Sequence, residues 1–160
     1  MITSDAHSGL KAALNAVFPS VPWQRCQFHL QQNAQSYVPK KDMKTEVAGD
    51  IRNIFNAPSL PEAERLLKIA VDKYIENAKE LSLWMADNIP ESLTVFRLPE
   101  SQRKKLRTSN LLERINQEVK RRTRIVRIFP NPESCLRLVS ALLMEISEEW
   151  QTGKRYLPLP

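Results

Sequence analysis

One predicted helix, from about Asn110 to Arg124, carries the residue types best suited to chemistry. At about 100° per residue, Glu113 falls on the same face as Lys120 and Arg124. The opposite face is apolar and consists of Leu111, Leu112, Ile115, Val119 and Val126. A carboxylate can hold a divalent cation, and lysine and arginine can hold a polyanion. The polar face therefore predicts a site that meets a polyanion and binds a metal ion.

Glu113 has a second interpretation, and Glu118 is a rival acid. Asn110 to Glu113 resembles a capping box, and an acid in the first turn of a helix is favoured by the helix dipole. Glu118 lies nearer the apolar edge and is spaced to pair with Arg114 and Arg122. We interpret Glu118 as part of a structural ion pair and Glu113 as the functional acid.

Asp5 stands between a predicted extended segment, Met1 to Ser4, and a predicted helix, Gly9 to Phe18. It can cap the helix, which contributes about 1 kcal/mol. It can also be a metal ligand, since ligands bind at the carboxyl edge of the sheet in α/β folds. The residue alone leaves both interpretations open.

Cys26 and His29 supply two further metal-ligand types. A structural zinc site needs four ligands, and the only other cysteine and histidine are Cys135 and His7, with no spacing that supports a site. Packing or a local hydrogen bond is the commoner role for such residues. A Cys/His nucleophile pair lacks a third group to orient it.

Charge and composition narrow the function classes. The chain has 160 residues, 24 Lys and Arg against 18 Asp and Glu, and a net charge of +6. Ten of the cations lie between Arg103 and Arg127, where only Glu113 and Glu118 oppose them. Such a block favours nucleic acid, although a solvated basic helix is the plainer alternative. Two cysteines fit a reducing compartment, and no apolar run is long enough to span a membrane.

The remaining pattern is mostly helical. We expect a short strand over Trp23 to Leu30, then proline-punctuated helices from about residue 31 to 98, and a last helix from Pro132 to about Trp150. The expected core stripe of that last helix is Leu136, Val139, Leu142, Leu143, Ile146 and Trp150. Trp84 could stack on an extruded base, but an aromatic residue at helical spacing is usually core. The abrupt opening suggests a piece of a larger fold.

Four blocks resemble the carboxy-terminal part of Mutator-type transposases of the bacterial insertion-sequence branch. The blocks are Ser4 to Leu10, Trp23 to His29, Thr108 to Arg124, and Phe129 to Asn131 with the terminal helix. Lys120 follows Glu113 at the seven-residue distance typical of that family. The resemblance covers nearly the whole chain, and its strength lies in the order of the blocks.

This resemblance implies an α/β ribonuclease-H-like core, truncated on its N-terminal side, with a large all-α insertion. The implied division is core remnant 1–30, insertion 31–100, C-terminal core helices 101–150 and tail 151–160. Asp5 and Glu113 would be the second and third residues of an Asp-Asp-Glu triad that holds two Mg²⁺ or Mn²⁺ ions. Lys120, Arg121, Arg122 and Arg124 would contact DNA phosphates.

The implied activity is metal-dependent DNA cleavage and strand transfer on transposon ends and target DNA. The resemblance also implies a homo-oligomer in the synaptic complex and a location in the bacterial cytoplasm at the nucleoid. Because the strand with the first Asp is missing, we expect a fragment that is inactive alone. The alternative is a non-catalytic basic helical protein that binds DNA or RNA.

Overall fold

Two short parallel strands and one helix form the opening of the chain. In the computed structural model, which describes residues 1–153, strand β1 (Ile2–Ser4) pairs with β2 (Trp23–Arg25). Helix α1 (Ser8–Val17) connects them. The register places Ile2 opposite Trp23 and Ser4 opposite Arg25. The predicted extended start and the predicted first helix are confirmed, the helix to within one residue at each end.

The predicted strand from Trp23 to Leu30 is wrong beyond Arg25. Helix α2 (Gln27–Ala34) begins after Cys26, which is its N-cap. Gln27, Leu30 and Ala34 are the buried residues of α2, at the spacing of one helical face. The weak alternation of side chains from Trp23 to Phe28 suggests a strand, whereas burial from Gln27 onward follows the helical period.

Three helices form the main core of the first unit. They are α3 (Met43–Phe55), α4 (Leu60–Tyr74) and α5 (Lys79–Asn88), and the helical pattern predicted for this stretch is confirmed. Ser59 caps α4 by accepting a hydrogen bond from the Glu62 amide, and Pro61 lies in the first turn. The largest fully buried apolar side chains of the core are Leu30, Val47, Ile51, Ile54, Tyr74, Leu81, Met85, Ile89 and Val95.

Three short 3₁₀ turns and one further helix complete this unit. The turns are Gln35–Tyr37, Ile89–Ser92 and Thr94–Arg97, and helix α6 (Glu100–Leu106) follows them. Trp84 stacks on Tyr37 with the ring centres 5.1 Å apart, so its ring packs within the protein as the core interpretation predicts. None of the helices described here is both long enough and apolar enough to cross a membrane.

Two buried polar residues join β2 to the helical block. The Gln24 amide donates to the Ser92 carbonyl at 2.6 Å, and its oxygen accepts from the Val95 amide at 2.7 Å. The Arg25 guanidinium donates to Asn88 Oδ1 at 2.6 Å and to Glu91 Oε2 at 3.2 Å. Because buried polar groups need partners, these contacts fix the strand to the turns that follow α5.

The second compact unit begins at Asn110 and contains α7 (Asn110–Val126) and α8 (Pro132–Thr152). The Asn131 side chain caps α8 by accepting from the Ser134 amide at 2.9 Å, with Pro132 in the first turn, as predicted. After α7, Arg127 has a φ of 62°. This left-handed conformation ends the helix at a position where glycine is usual.

The predicted core stripe of α8 is only partly correct. Leu142 is buried, but Leu136, Leu143 and Trp150 are between 42% and 63% exposed. Among the residues of this unit that the structure describes, α7 is the one helix beside α8, and it can cover only one narrow stripe. The predicted tail 151–160 lies outside the described residues from position 154 onward.

Candidate metal and nucleic-acid sites

The parallel strand pair places two potential metal ligands side by side. Ser4 and Arg25 are opposite one another, so the next residues, Asp5 and Cys26, leave the sheet at the same carboxyl edge. The Cys26 amide donates to the Ser4 carbonyl at 2.8 Å, which holds the two segments together beyond the last strand pair. This edge is where ligands bind in parallel α/β sheets.

The Asp5 side chain does not cap α1. The N-cap of α1 is His7, without a side-chain hydrogen bond, so the capping interpretation of Asp5 is wrong. Instead, Asp5 Oδ1 contacts His29 Nδ1, on the first turn of α2. The Asp5 side chain is 56% exposed and that of His29 is 29% exposed. Asp5 therefore presents a carboxylate to solvent at the sheet edge while a histidine orients it.

Cys26 is buried beside this pair. Its Sγ accepts hydrogen bonds from the backbone amide and the hydroxyl of Ser109, both at 3.4 Å. Donor atoms of Asp5, Cys26 and His29 all lie within 4.8 Å of one another. The four-ligand zinc arrangement weighed from the sequence is thus replaced by a cluster in which Asp5 joins Cys26 and His29.

Helix α7 carries the other acids and cations singled out by the sequence. Glu113 lies in its first turn. Glu118 accepts from Arg121 Nη2 at 2.7 Å and from Arg122 Nε at 3.0 Å. The hydrogen bonds from Arg121 and then from Arg122 lower the pKa of Glu118 to about 2. The expected ion-pair role of Glu118 and its partner Arg122 are confirmed, whereas Arg121 takes the place expected for Arg114.

A cationic face on α7 remains open to solvent. Gln117, Lys120, Arg121 and Arg124 are all exposed, and their spacing places them on one side of the helix. Arg121 shares this face, but its guanidinium donates hydrogen bonds to Glu118. Lys120 and Arg124 are the other two exposed cations of this face and are open to an anion from solvent.

Some of the predicted site residues lie close together in the structure, whereas others belong to different compact units. Asp5 belongs to the unit 1–109 and Glu113 to the unit that starts at Asn110. The contact between Asp5 and His29 was missed by sequence reasoning. The signal in the sequence that could have indicated this contact was the pair Cys26 and His29. These residues are three positions apart and directly follow the strand that lies parallel to the one ending before Asp5. Reading that segment as a strand throughout obscured the signal.

Comparison with known proteins gives consistent matches along the described chain. A family model described as "Transposase, Mutator family" matches residues 1–153. The transposase for insertion sequence element IS406 of Burkholderia multivorans is 58% identical over 157 residues, which are 98% of this chain and 40% of that protein.

More distant relatives give the same picture. The transposase for ISRM5 of Rhizobium meliloti is 41% identical over 157 residues, covering 98% of this chain and 39% of the relative. The transposase for IS256 in Tn4001 of Staphylococcus aureus is 34% identical over 159 residues, covering 98% and 40%. The chain thus spans about two fifths of the length of these relatives.

Proposed function

The chain belongs to the Mutator family of transposases, and we propose that it is the carboxy-terminal part of an Asp-Asp-Glu enzyme that cleaves and joins DNA during transposition. Asp5 and Glu113 are the proposed catalytic carboxylates. The first Asp and the region that recognises element ends would come from the part of the relatives that this chain does not span. In its cell this protein would act at the bacterial nucleoid.

The observation that carries the proposal is the position of Asp5. It follows directly on a strand of a parallel pair, its carboxylate is open to solvent, and it does not serve as a helix cap. An aspartate that caps no helix and stands at the carboxyl edge of a parallel sheet is well placed to bind a ligand. Helix α7, which carries Glu113, adds the cationic face that a DNA substrate requires.

The residues present fit a Mg²⁺ or Mn²⁺ ion held in part by substrate. Mg²⁺ prefers oxygen ligands, and in phosphate-processing sites one or two carboxylates hold it together with substrate phosphates and water. Asp5 is one exposed carboxylate, and Glu113 is a second carboxylate, in the first turn of α7. When bound, such ions activate water or a 3′-hydroxyl and stabilise the leaving oxygen.

The side chains around the carboxylates would position them and the substrate. His29 holds the orientation of the Asp5 carboxylate by direct contact. Lys120 and Arg124 would bind backbone phosphates, which fixes the register of DNA without reading its sequence. Arg121 and Arg122 are already paired with Glu118, so any phosphate contact they make would compete with that acid.

We propose a ribonuclease-H-like core assembled from residues 1–30 and 101–150, with residues 31–100 inserted between them. The parallel strands β1 and β2 and helix α1 between them support this assignment, because this unit is the basic element of such α/β folds. Synapsis of two DNA ends would require more than one copy of the complete protein.

The test is a chimeric transposase. The matching segment of the Burkholderia multivorans relative is replaced by this chain, and transposition of an element with that relative's ends is counted in cells. We expect transposition by the chimera and its loss with Asp5→Asn or Glu113→Gln. Glu118→Gln is the matched control, because it removes an acid of the same helix that pairs with Arg121 and Arg122.

The variants distinguish the enzyme from a non-catalytic binding protein. Each variant is also checked for expression and for binding to duplex DNA. If Glu113→Gln transposes as well as Glu118→Gln, Glu113 is not catalytic and the triad assignment fails. If Asp5→Asn and Glu113→Gln bind DNA normally but do not transpose, the carboxylates act in the chemical step.

A further inference from the structure

We propose that Asp5, Cys26 and His29 form a binding site for one Zn²⁺ ion with an open fourth coordination position. The site is distinct in its chemistry from the Mg²⁺ role suggested for Asp5, since it uses a sulfur and a nitrogen ligand as well. Within residues 1–153 it is the one group of three or more such side chains whose donor atoms converge. The inference does not depend on the proposed function.

The fold itself brings the three donors together. Asp5 and Cys26 are adjacent because their strands are parallel and in register, and His29 follows Cys26 by less than one helical turn. Their donor atoms lie within 4.8 Å of one another. With metal–ligand bonds of about 2.0 to 2.3 Å, tetrahedral zinc places neighbouring donors about 3.3 to 3.8 Å apart. Side-chain adjustments of about 1 Å, which the exposed Asp5 can accommodate, would therefore complete the site.

The surroundings of the sulfur support a metal-binding role. Cys26 is fully buried, and its Sγ accepts hydrogen bonds from the amide and the hydroxyl of Ser109. Hydrogen bonds to the ligand atom from outside the site orient metal ligands and tune the ion they hold. Cys135, the other cysteine of the chain, is only partly buried and lies in the second unit.

The donor set selects the kind of ion. One carboxylate oxygen, one imidazole nitrogen and one sulfur suit Zn²⁺ or Co²⁺, whereas Mg²⁺ requires oxygen ligands in octahedral geometry. Three protein ligands with a free position are the arrangement of reactive rather than purely structural zinc sites. Partial exposure of Asp5 and His29 provides the entry path. A zinc ion here would occupy Asp5 and so compete with any Mg²⁺ bound to it.

The experiment is a Co²⁺ titration of the purified, metal-free 160-residue chain without DNA. We expect one equivalent to produce a thiolate-to-cobalt charge-transfer band and the intense visible bands of a tetrahedral ion. Stoichiometric Zn²⁺ should remove both, whereas a large excess of Mg²⁺ should not. A weak octahedral spectrum without a sulfur band would overturn the proposal.

The chain offers matched controls because it contains only two cysteines and two histidines. Cys26→Ser should remove the charge-transfer band and His29→Gln should weaken Co²⁺ binding at least about 10-fold. Cys135→Ser and His7→Gln should leave the spectrum unchanged. Equal effects of the two cysteine variants, or of the two histidine variants, would refute the site.

Folding is monitored by far-ultraviolet circular dichroism. If the buried Cys26→Ser variant fails to fold, the comparison of His29→Gln with His7→Gln decides the question, since neither histidine is a buried residue. Asp5→Asn should also weaken Co²⁺ binding while keeping the sulfur band at saturating metal. Because no DNA is present, the result stands whether or not the chimeric transposase is active.

Discussion

Replacing Gln24 by leucine should destabilise the first unit more than any surface change. The Gln24 side chain is fully buried and makes three hydrogen bonds. It accepts from the Val95 amide at 2.7 Å and donates to the carbonyls of Ser92 at 2.6 Å and Arg25 at 2.8 Å. Leucine has a similar volume, so the change removes polar contacts without opening a large cavity.

The expected loss follows from the partners left behind. The Val95 amide loses its acceptor while buried, which costs about 1 to 3 kcal/mol. The Ser92 carbonyl keeps the Gln27 amide at 3.0 Å and is therefore not left without a donor. We expect a net loss of about 2 to 3 kcal/mol, which for a unit of this size lowers Tm by roughly 10 °C or more.

The assay is urea unfolding followed by tryptophan fluorescence. Trp23 and Trp84 lie in the first unit and Trp150 in the second. A Trp150→Phe background therefore confines the signal to the unit under test. Gln32→Leu, an exposed position on α2, is the matched control and should change stability by less than about 0.5 kcal/mol.

A further substitution tests the reasoning about donors. Gln24→Glu keeps an acceptor for Val95 but turns a carboxylate toward two carbonyls. Burial favours the protonated acid, so its folded-state pKa would be raised and stability should increase as pH falls. If the free energy of unfolding of Gln24→Leu lies within about 0.5 kcal/mol of that of the parent, the buried amide does not hold the strand to the turns as described.

Two other outcomes follow from the charged and titrating groups. Burial, then the hydrogen bond to Asp50, raises the pKa of Tyr74 to about 12. The stability linked to this raised pKa is present below pH 10 and lost as pH rises toward 12, so the free energy of unfolding of the parent should fall relative to that of Tyr74→Phe by about 1 to 2 kcal/mol over that range; parallel curves would contradict this. Lys120→Gln should reduce the salt dependence of duplex DNA binding by about one phosphate contact, whereas Lys68→Gln on α4 should not; equal slopes would exclude the α7 face.

The sequence predicted those features that depend on local periodicity and local chemistry. Helices α3 to α5 were indicated by apolar stripes and by Pro58, Pro61 and Pro90, and the start of α8 by Asn131 and Pro132. The ion-pair role of Glu118 followed from helical spacing alone. Each of these signals is contained within a few neighbouring residues, so no tertiary information was needed.

The features that the sequence did not predict arise from contacts between distant segments. The end of β2 at Arg25 is set by burial of α2 against the helical block, which overrides the weak alternation around Cys26. The contact of Asp5 with His29 requires the parallel register of two strands about twenty residues apart. Leu136 and Trp150 are exposed because few helices surround α8 in the described part of its own unit. An apolar stripe in the sequence does not indicate how many helices will cover it.

The Glu91 carboxylate is shared by two cations and links the opening of the chain to the helical segment that contains it. Glu91 binds Lys11 of α1 at 2.6 Å and the buried Arg25 of β2 at 3.2 Å. Excising the helical segment 31–100 would remove this acid and Asn88 together, leaving the Arg25 guanidinium without either partner. Every buried residue of the hydrophobic core except Leu30 also lies in this segment, so its excision would remove the core of the unit together with these partners. The segment is therefore an obligatory part of the scaffold, and a minimal version of this protein cannot be made by deleting it and rejoining the ends.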